Sequence, residues 1–214
     1  MKPITAKGNA PLDPAALRRA EAHLAAADPV MAGLVARHGP CRLAKRGGSP
    51  FESLAGAIIG QQLSTKAAAT IRGRVAALVG PGFEPAAILG KSPEELRAAG
   101  LSGAKARYLR ELAEKVVAGI FSFETVAALD DESAVVALTE LSGIGRWTAE
   151  MFLLFHLQRA DVLALGDGGL QRAANLLYPR GRRKGDLLSR VGEPWRPYRS
   201  VASWYLWRHL DNGG

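Results

Sequence analysis

Asp167 stands between Gly166 and Gly168 in the stretch ALGDGGLQRA, where a helical pattern resumes. A carboxylate with no side chain on either neighbour can come close to a substrate. There it can stabilise a developing positive charge or orient a water. Asp is also a good helix N-cap, because its oxygen can accept from the open N–H groups of the next turn. Residues alone leave both uses open. Upstream, LSGIGRWTAEMFLLF sets Gly143 and Gly145 around Ile144, between the helical patterns DDESAVVALTEL and RWTAEMFLLFHLQ. Two glycines permit a tight turn and let another backbone approach, and Ile144 can plug the space between the helices. The second helix then opens with N–H groups near Gly145 and Arg146. Those groups and the helix dipole suit a phosphate oxygen, from which a Cβ would hold a phosphodiester away. A helix corner with no ligand is the plainer alternative.

The helix after the corner must hold these residues in place. Trp147, Ala149, Met151, Phe152, Leu153, Leu154, Phe155 and Leu157 leave almost no polar face, as in a helix buried at the centre of a domain. About eleven residues of helix span roughly 16 Å. RADVLALG then gives enough chain to bring Asp167 back toward Trp147.

Elsewhere the pattern is helical almost throughout. DPAALRRAEAHLAAAD starts with a cap and a proline, STKAAATIRGRVAALVG starts with Ser64 as N-cap, and SPEELRAAG pairs Ser92 with Glu95 in a capping box. PVMAGLVARHG, FESLAGAIIG and AKARYLRELAEKVVAG read as further helices, and no alternating run supports more than a marginal strand. The basic loop CRLAKRGGSP marks a lobe boundary. We expect residues 1–50 and 165–214 to form one lobe and 51–164 the other, with the helix–hairpin–helix at 131–158.

At 214 residues the chain has room for two packed lobes, and a net charge of +8 fits a polyanionic partner such as nucleic acid. Within 180–199 seven Arg or Lys residues face only Asp186 and Glu193, which suits a solvated face or a phosphate-facing rim. Cys41 is the only cysteine, so no internal disulfide and no all-cysteine iron–sulfur cluster can form. His23, His38, His156 and His209 show no metal-ligand spacing, so a catalytic metal on side chains is not expected. LAGAII is too short to span a bilayer. No cleavable leader pattern appears, and a cytoplasmic, membrane-free monomer is the expectation.

Together these residues resemble the helix–hairpin–helix–Gly/Pro/Asp superfamily of DNA glycosylases. LSGIGRWTAEMF resembles its hairpin signature, with Ser142 where proline is commoner, and Asp167 sits at the spacing of its aspartate. FESLAGAIIGQQLSTKAA and EPWRPYRSVASWYLWR are similar to the alkylbase branch, DNA-3-methyladenine glycosylase II. The resemblance implies an all-α, two-lobed fold with an active-site cleft between the lobes and without the N-terminal β domain of larger relatives. It implies a base-excision repair enzyme that flips an alkylated purine out of double-stranded DNA and hydrolyses its glycosidic bond.

Site residues follow from the same resemblance. Asp167 is the catalytic carboxylate, and Trp147 and Trp207 line the base pocket. Trp204 and Tyr205 are expected to anchor the last helix in the core. Gly143, Ile144, Gly145, Arg146 and Thr148 grip the strand, and the turn GQQLS provides the wedge, Gln62 or Leu63, beside Ser64. A monovalent cation, Na or K, is implied on the backbone carbonyls of Thr139, Leu141 and Ile144, and no other cofactor. Bifunctional members carry Lys where this chain has Trp147, so lyase activity is not expected. Two rivals stay open: a non-enzymatic helix–hairpin–helix DNA-binding protein, and a glycosylase for oxidised or mismatched bases.

Overall fold

The computed structural model describes residues 12–43, 47–178 and 187–213. Among them there is no strand. The helices in chain order are α1 (Pro14–Ala27), α2 (Pro29–His38), α3 (Pro50–Gly60), α4 (Thr65–Val79), α5 (Pro85–Leu89), α6 (Pro93–Ala98), α7 (Gly103–Val117), α8 (Phe123–Ala128), α9 (Asp131–Thr139), α10 (Arg146–Phe155), α11 (Gly168–Leu177), α12 (Leu187–Gly192) and α13 (Arg199–Asp211). A 3-10 turn, Glu193–Trp195, precedes α13.

Helix starts are set by short polar side chains. Asp13, Ser49, Ser64, Ser92, Ser102, Ser122 and Asp130 each accept from the backbone N–H three residues on. Each such cap is worth about 1 kcal/mol. The Ser92–Glu95 capping box forms in both directions. Pro14, Pro29, Pro50, Pro85 and Pro93 take first-turn positions, where a missing N–H has no cost.

Two compact units result, Met1–Lys45 with Leu153–Gly214, and Arg46–Phe152. The second division falls inside α10, twelve residues before the position read from sequence, 152 against 164. Phe155 explains the assignment: its ring stacks on Trp207 of α13 at 5.9 Å and 22°, so the last turn of α10 packs with the first unit. That unit is built around Leu24, Met31, Trp195, Tyr205 and Leu206, all fully buried. Asp28 ties it together. One carboxylate oxygen caps α2 at the Val30 N–H (2.8 Å), and the other accepts from Tyr178 Oη (2.6 Å) and Trp195 Nε1 (2.8 Å). The second unit packs Leu54, Ile58, Ile59, Val75, Phe83, Leu109 and Leu138.

Burial also decides the chemistry of the lone thiol. It pushes Cys41 up to about 12, with the Glu21 carboxylate adding to the effect. Burial raises Tyr178 and Tyr205 as well, helped by Asp28 and Glu21 respectively. In the unfolded chain the thiol ionises near its ordinary value of about 8.5. As pH rises past that value the unfolded chain sheds a proton that the folded chain keeps. The stabilisation is therefore complete below about pH 8.5 and is lost as pH climbs toward 12, at up to about 1.4 kcal/mol per pH unit. Urea melts at pH 7.5, 9 and 10.5 should show a midpoint falling only above pH 8.5. In the native state Cys41 should resist thiol reagents at pH 8.

Candidate active site

The corner between α9 and α10 is built by packing from inside and left open from outside. Leu141 and Ile144 are both 4% exposed, and the Ile144 N–H donates to the Leu141 carbonyl at 3.0 Å. Gly143 has φ +81°, and a Cβ there would lie 2.4 Å from Tyr108 Cδ2. Glycine at 143 is thus required by the fold, through the Tyr108 ring. Gly145 differs: a Cβ there would meet nothing within 4 Å and its φ is ordinary. Nothing inside the unit asks for glycine at 145.

Helix α10 opens at this corner. Its first helical bond runs from the Ala149 N–H to the Gly145 carbonyl, 3.0 Å, so the preceding N–H groups face outward from the helix end. Arg146 is committed sideways. Its guanidinium pairs with both oxygens of Glu132 (2.8 and 2.6 Å) and with Glu150 at 3.1 Å. The pairing holds the guanidinium protonated and the Glu132 carboxyl below its ordinary range. With Arg146 58% and Glu132 64% exposed, the pair adds well under about 1 kcal/mol of stability; it fixes geometry across the corner. Thr148 is buried, at 7% exposed. Trp147 is 49% exposed. The helix is therefore not apolar all round: it presents Arg146 and Trp147 to solvent and buries Glu150 as well as its apolar residues.

The turn after α3 is tied to the corner by a residue sequence reading passed over. Gln61 Nε2 donates to the Gly143 carbonyl at 2.6 Å. Lys105 Nζ, lowered by burial, donates to the carbonyls of Ile59 (2.9 Å) and Gln61 (2.7 Å). Gln62 at the tip has φ +56° and is exposed, as are Leu63 and Ser64, with Ser64 capping α4. Gln61 could have been suspected only from its place beside Gln62; nothing in its type announces a carbonyl partner 82 residues away.

In the other unit Asp167 is the N-cap of α11. Its Oδ1 accepts from the Leu170 N–H at 2.8 Å and from Trp207 Nε1 at 3.0 Å. The capping and special-site readings of this residue are therefore compatible. Gly166 and Gly168 leave open space where a Cβ would be. Gly169 is the crowded one: its Cβ would sit 3.0 Å from Asp167 Oδ1 and 3.3 Å from Trp207 Nε1. Trp207 is thus held by the Phe155 ring on its face and by Asp167 at its N–H.

A cleft of about 620 Å³ lies along the same side of α13, lined by His38, Arg42, Phe155, Trp204, Trp207 and Arg208 among others. Trp204 corrects the sequence expectation. It is half-buried and lines this cleft, because only Tyr205 points inward, with its hydroxyl donating to the Gly39 carbonyl at 2.9 Å. Trp195 is framework, fully buried on Asp28. Of the basic cluster, Arg180, Arg182, Arg183 and Lys184 lie outside the described residues. Arg196 and Arg199 both pair with Asp161, at 2.8 and 2.7 Å, so these two serve to fix the start of α13.

No group of three or more His, Cys, Asp or Glu that could hold a metal occurs among the described residues, and no described helix is long and apolar enough to cross a membrane. What the residues offer is a carboxylate that accepts two N–H donors beside Trp207 in one unit, and the N-terminus of α10 with an exposed Trp in the other.

The chain is similar in sequence and fold to known proteins. The chain is similar to the DNA-3-methyladenine glycosidase of Bacillus halodurans, 41% identical with a TM-score of 0.80 over 88% of each chain. It is similar to the Schizosaccharomyces pombe 3-methyladenine DNA glycosylase in complex with abasic DNA, 32% identical with a TM-score of 0.77 over 90% of this chain and 97% of that one. DNA-3-methyladenine glycosylase 1 of Schizosaccharomyces pombe is 33% identical over 206 residues, 90% of this chain and 87% of the relative. The model of the HhH-GPD superfamily base excision DNA repair protein matches residues 55–197. The chain belongs to the HhH-GPD superfamily of base excision DNA repair proteins.

Proposed function

We propose that this protein is a monofunctional DNA glycosylase that releases alkylated purines, of the 3-methyladenine and 7-methylguanine type, from double-stranded DNA and leaves an abasic site. The observation that carries the reading is Asp167, locked by two N–H donors beside Trp207, in a chain whose relatives are named for 3-methyladenine release.

The target base is inaccessible in the duplex and must rotate out, at a cost of a few kcal/mol that is least for damaged pairs. The backbone N–H groups at Gly145 and Arg146 hold a flanking phosphate, and Gln62 or Leu63 fills the vacated stack. An alkylated purine is cationic, and an aromatic face such as that of Trp207 attracts it by about 0.5–2 kcal/mol per good contact. As the C1′–N bond breaks, its electron pair leaves with the base and neutralises it, so no general acid is needed. The sugar becomes oxocarbenium-like, and the Asp167 carboxylate stabilises that charge and orients a water. The water oxygen bonds to C1′ and its proton leaves to the carboxylate or to solvent.

A structural Na or K on the backbone carbonyls of Thr139, Leu141 and Ile144 is part of the same proposal; the Leu141 carbonyl accepts the Ile144 N–H and has a second lone pair to offer. The ion would stiffen the corner and takes no part in the bond cleavage.

Trp147, standing where bifunctional relatives carry Lys, cannot form a Schiff base with the sugar. The enzyme should therefore give no borohydride-trapped adduct, and treated strands should break only after alkali. A trapped adduct would assign the lyase activity proposed absent. A non-enzymatic hairpin module would leave strands resistant to alkali.

A further inference from the structure

Trp207 makes a contact that a pocket wall would not need. Its indole Nε1 donates to Asp167 Oδ1 at 3.0 Å, the oxygen that also accepts the Leu170 N–H at 2.8 Å. The indole cannot swing away, because the Phe155 ring stacks on it at 5.9 Å and 22°. The backbone beside this bond is stripped to fit it: a Cβ on Gly169 would come within 3.0 Å of Asp167 Oδ1 and 3.3 Å of Trp207 Cδ1 and Nε1. Three independent features, a stacked partner, a charge-assisted donor and a missing Cβ, thus converge on one carboxylate oxygen.

We infer that Trp207 is a positioning residue for Asp167, and that Gly169 is present to let the indole N–H reach the carboxylate. The inference rests on the glycosylase reading above and deepens it. The N-cap bond holds Oδ1 along the helix axis, toward the start of α11. A second donor from α13 sets the carboxylate plane and so sets where the other oxygen is directed. Rotation about the side chain would otherwise dilute the productive orientation.

The test is a double-mutant cycle on base release from alkylated duplex. Trp207→Phe keeps an aromatic ring against Phe155, loses the N–H and trims the second ring, so Gly169→Ala, which leaves the indole whole, is read beside it. It should lower kcat by about ten- to thirty-fold, in line with loss of a hydrogen bond to a charged group. KM and the affinity for abasic DNA should stay within about twofold. Gly169→Ala attacks the same bond from the other side and should give the same split. On an Asp167→Ala background, Trp207→Phe should cost less than about twofold more. In NMR spectra the Trp207 indole proton should shift upfield in Asp167→Ala. Equal losses from Trp207→Phe on both backgrounds, or a raised KM with kcat intact, would overturn the inference and leave Trp207 a wall. Full activity in Asp167→Ala alone would instead sink the underlying reading. If Trp207→Phe melts well below wild type, the Gly169→Ala kinetics and the indole shift decide.

Discussion

Replacing Asp167 by Asn is expected to cut base release from alkylated DNA about a thousand-fold, roughly 4 kcal/mol of transition-state stabilisation. The fold should survive. Asn is as good an N-cap as Asp, and its amide oxygen can still accept from the Leu170 N–H and the Trp207 indole that hold the carboxylate in place. What disappears is the negative charge, which is worth most where a cationic sugar forms. Abasic DNA carries no such charge, so its binding should change little. Rates from single-turnover assays, melts and abasic-DNA affinity of the same variant give the full comparison. A variant that is well folded and releases base at a near-normal rate would remove Asp167 from the reaction.

Gly145→Asp should weaken DNA binding about a hundred-fold without loss of stability. Position 145 precedes the first residue of α10, where an aspartate caps the exposed N–H groups and complements the helix dipole. A Cβ there strikes nothing. For the protein alone the change is neutral or stabilising by about 0.3 kcal/mol. For a bound phosphodiester it sets a carboxylate against a phosphate, which costs several kcal/mol at close range before screening and about 2–3 kcal/mol after it. An unchanged or slightly raised melting temperature with a fall in affinity separates this glycine from Gly143. There the Tyr108 ring forbids any side chain and the fold itself would suffer. Unchanged affinity in Gly145→Asp would mean that the strand is not gripped at this corner.

These contrasts show how far the sequence could be read. Helix starts were legible because caps act locally: Asp13, Ser64 and the Ser92–Glu95 box each need only the next turn to do their work. Asp167 was legible by type and spacing. Contacts between distant segments were not. Gln61 reaches the Gly143 carbonyl, and Tyr108 fills the place a Cβ would take at residue 143. Neither residue type is unusual, and only tertiary packing makes the pairs. The same is true of Gly169, passed over in favour of its neighbours Gly166 and Gly168 because crowding by a Trp on another helix leaves no mark in the chain. Charge was misleading at the start of α13, where Arg196 and Arg199 are spent on Asp161.

Every residue role assigned above depends on hydrolysis at a purine glycosidic bond. Duplex DNA treated with a methylating agent, incubated with the wild-type protein and resolved by liquid chromatography, tests it most directly. The prediction is free 3-methyladenine, released with multiple turnovers and matched by abasic sites in strands that stay whole until alkali is added. Binding of the same duplex with no free base above the spontaneous background would contradict it.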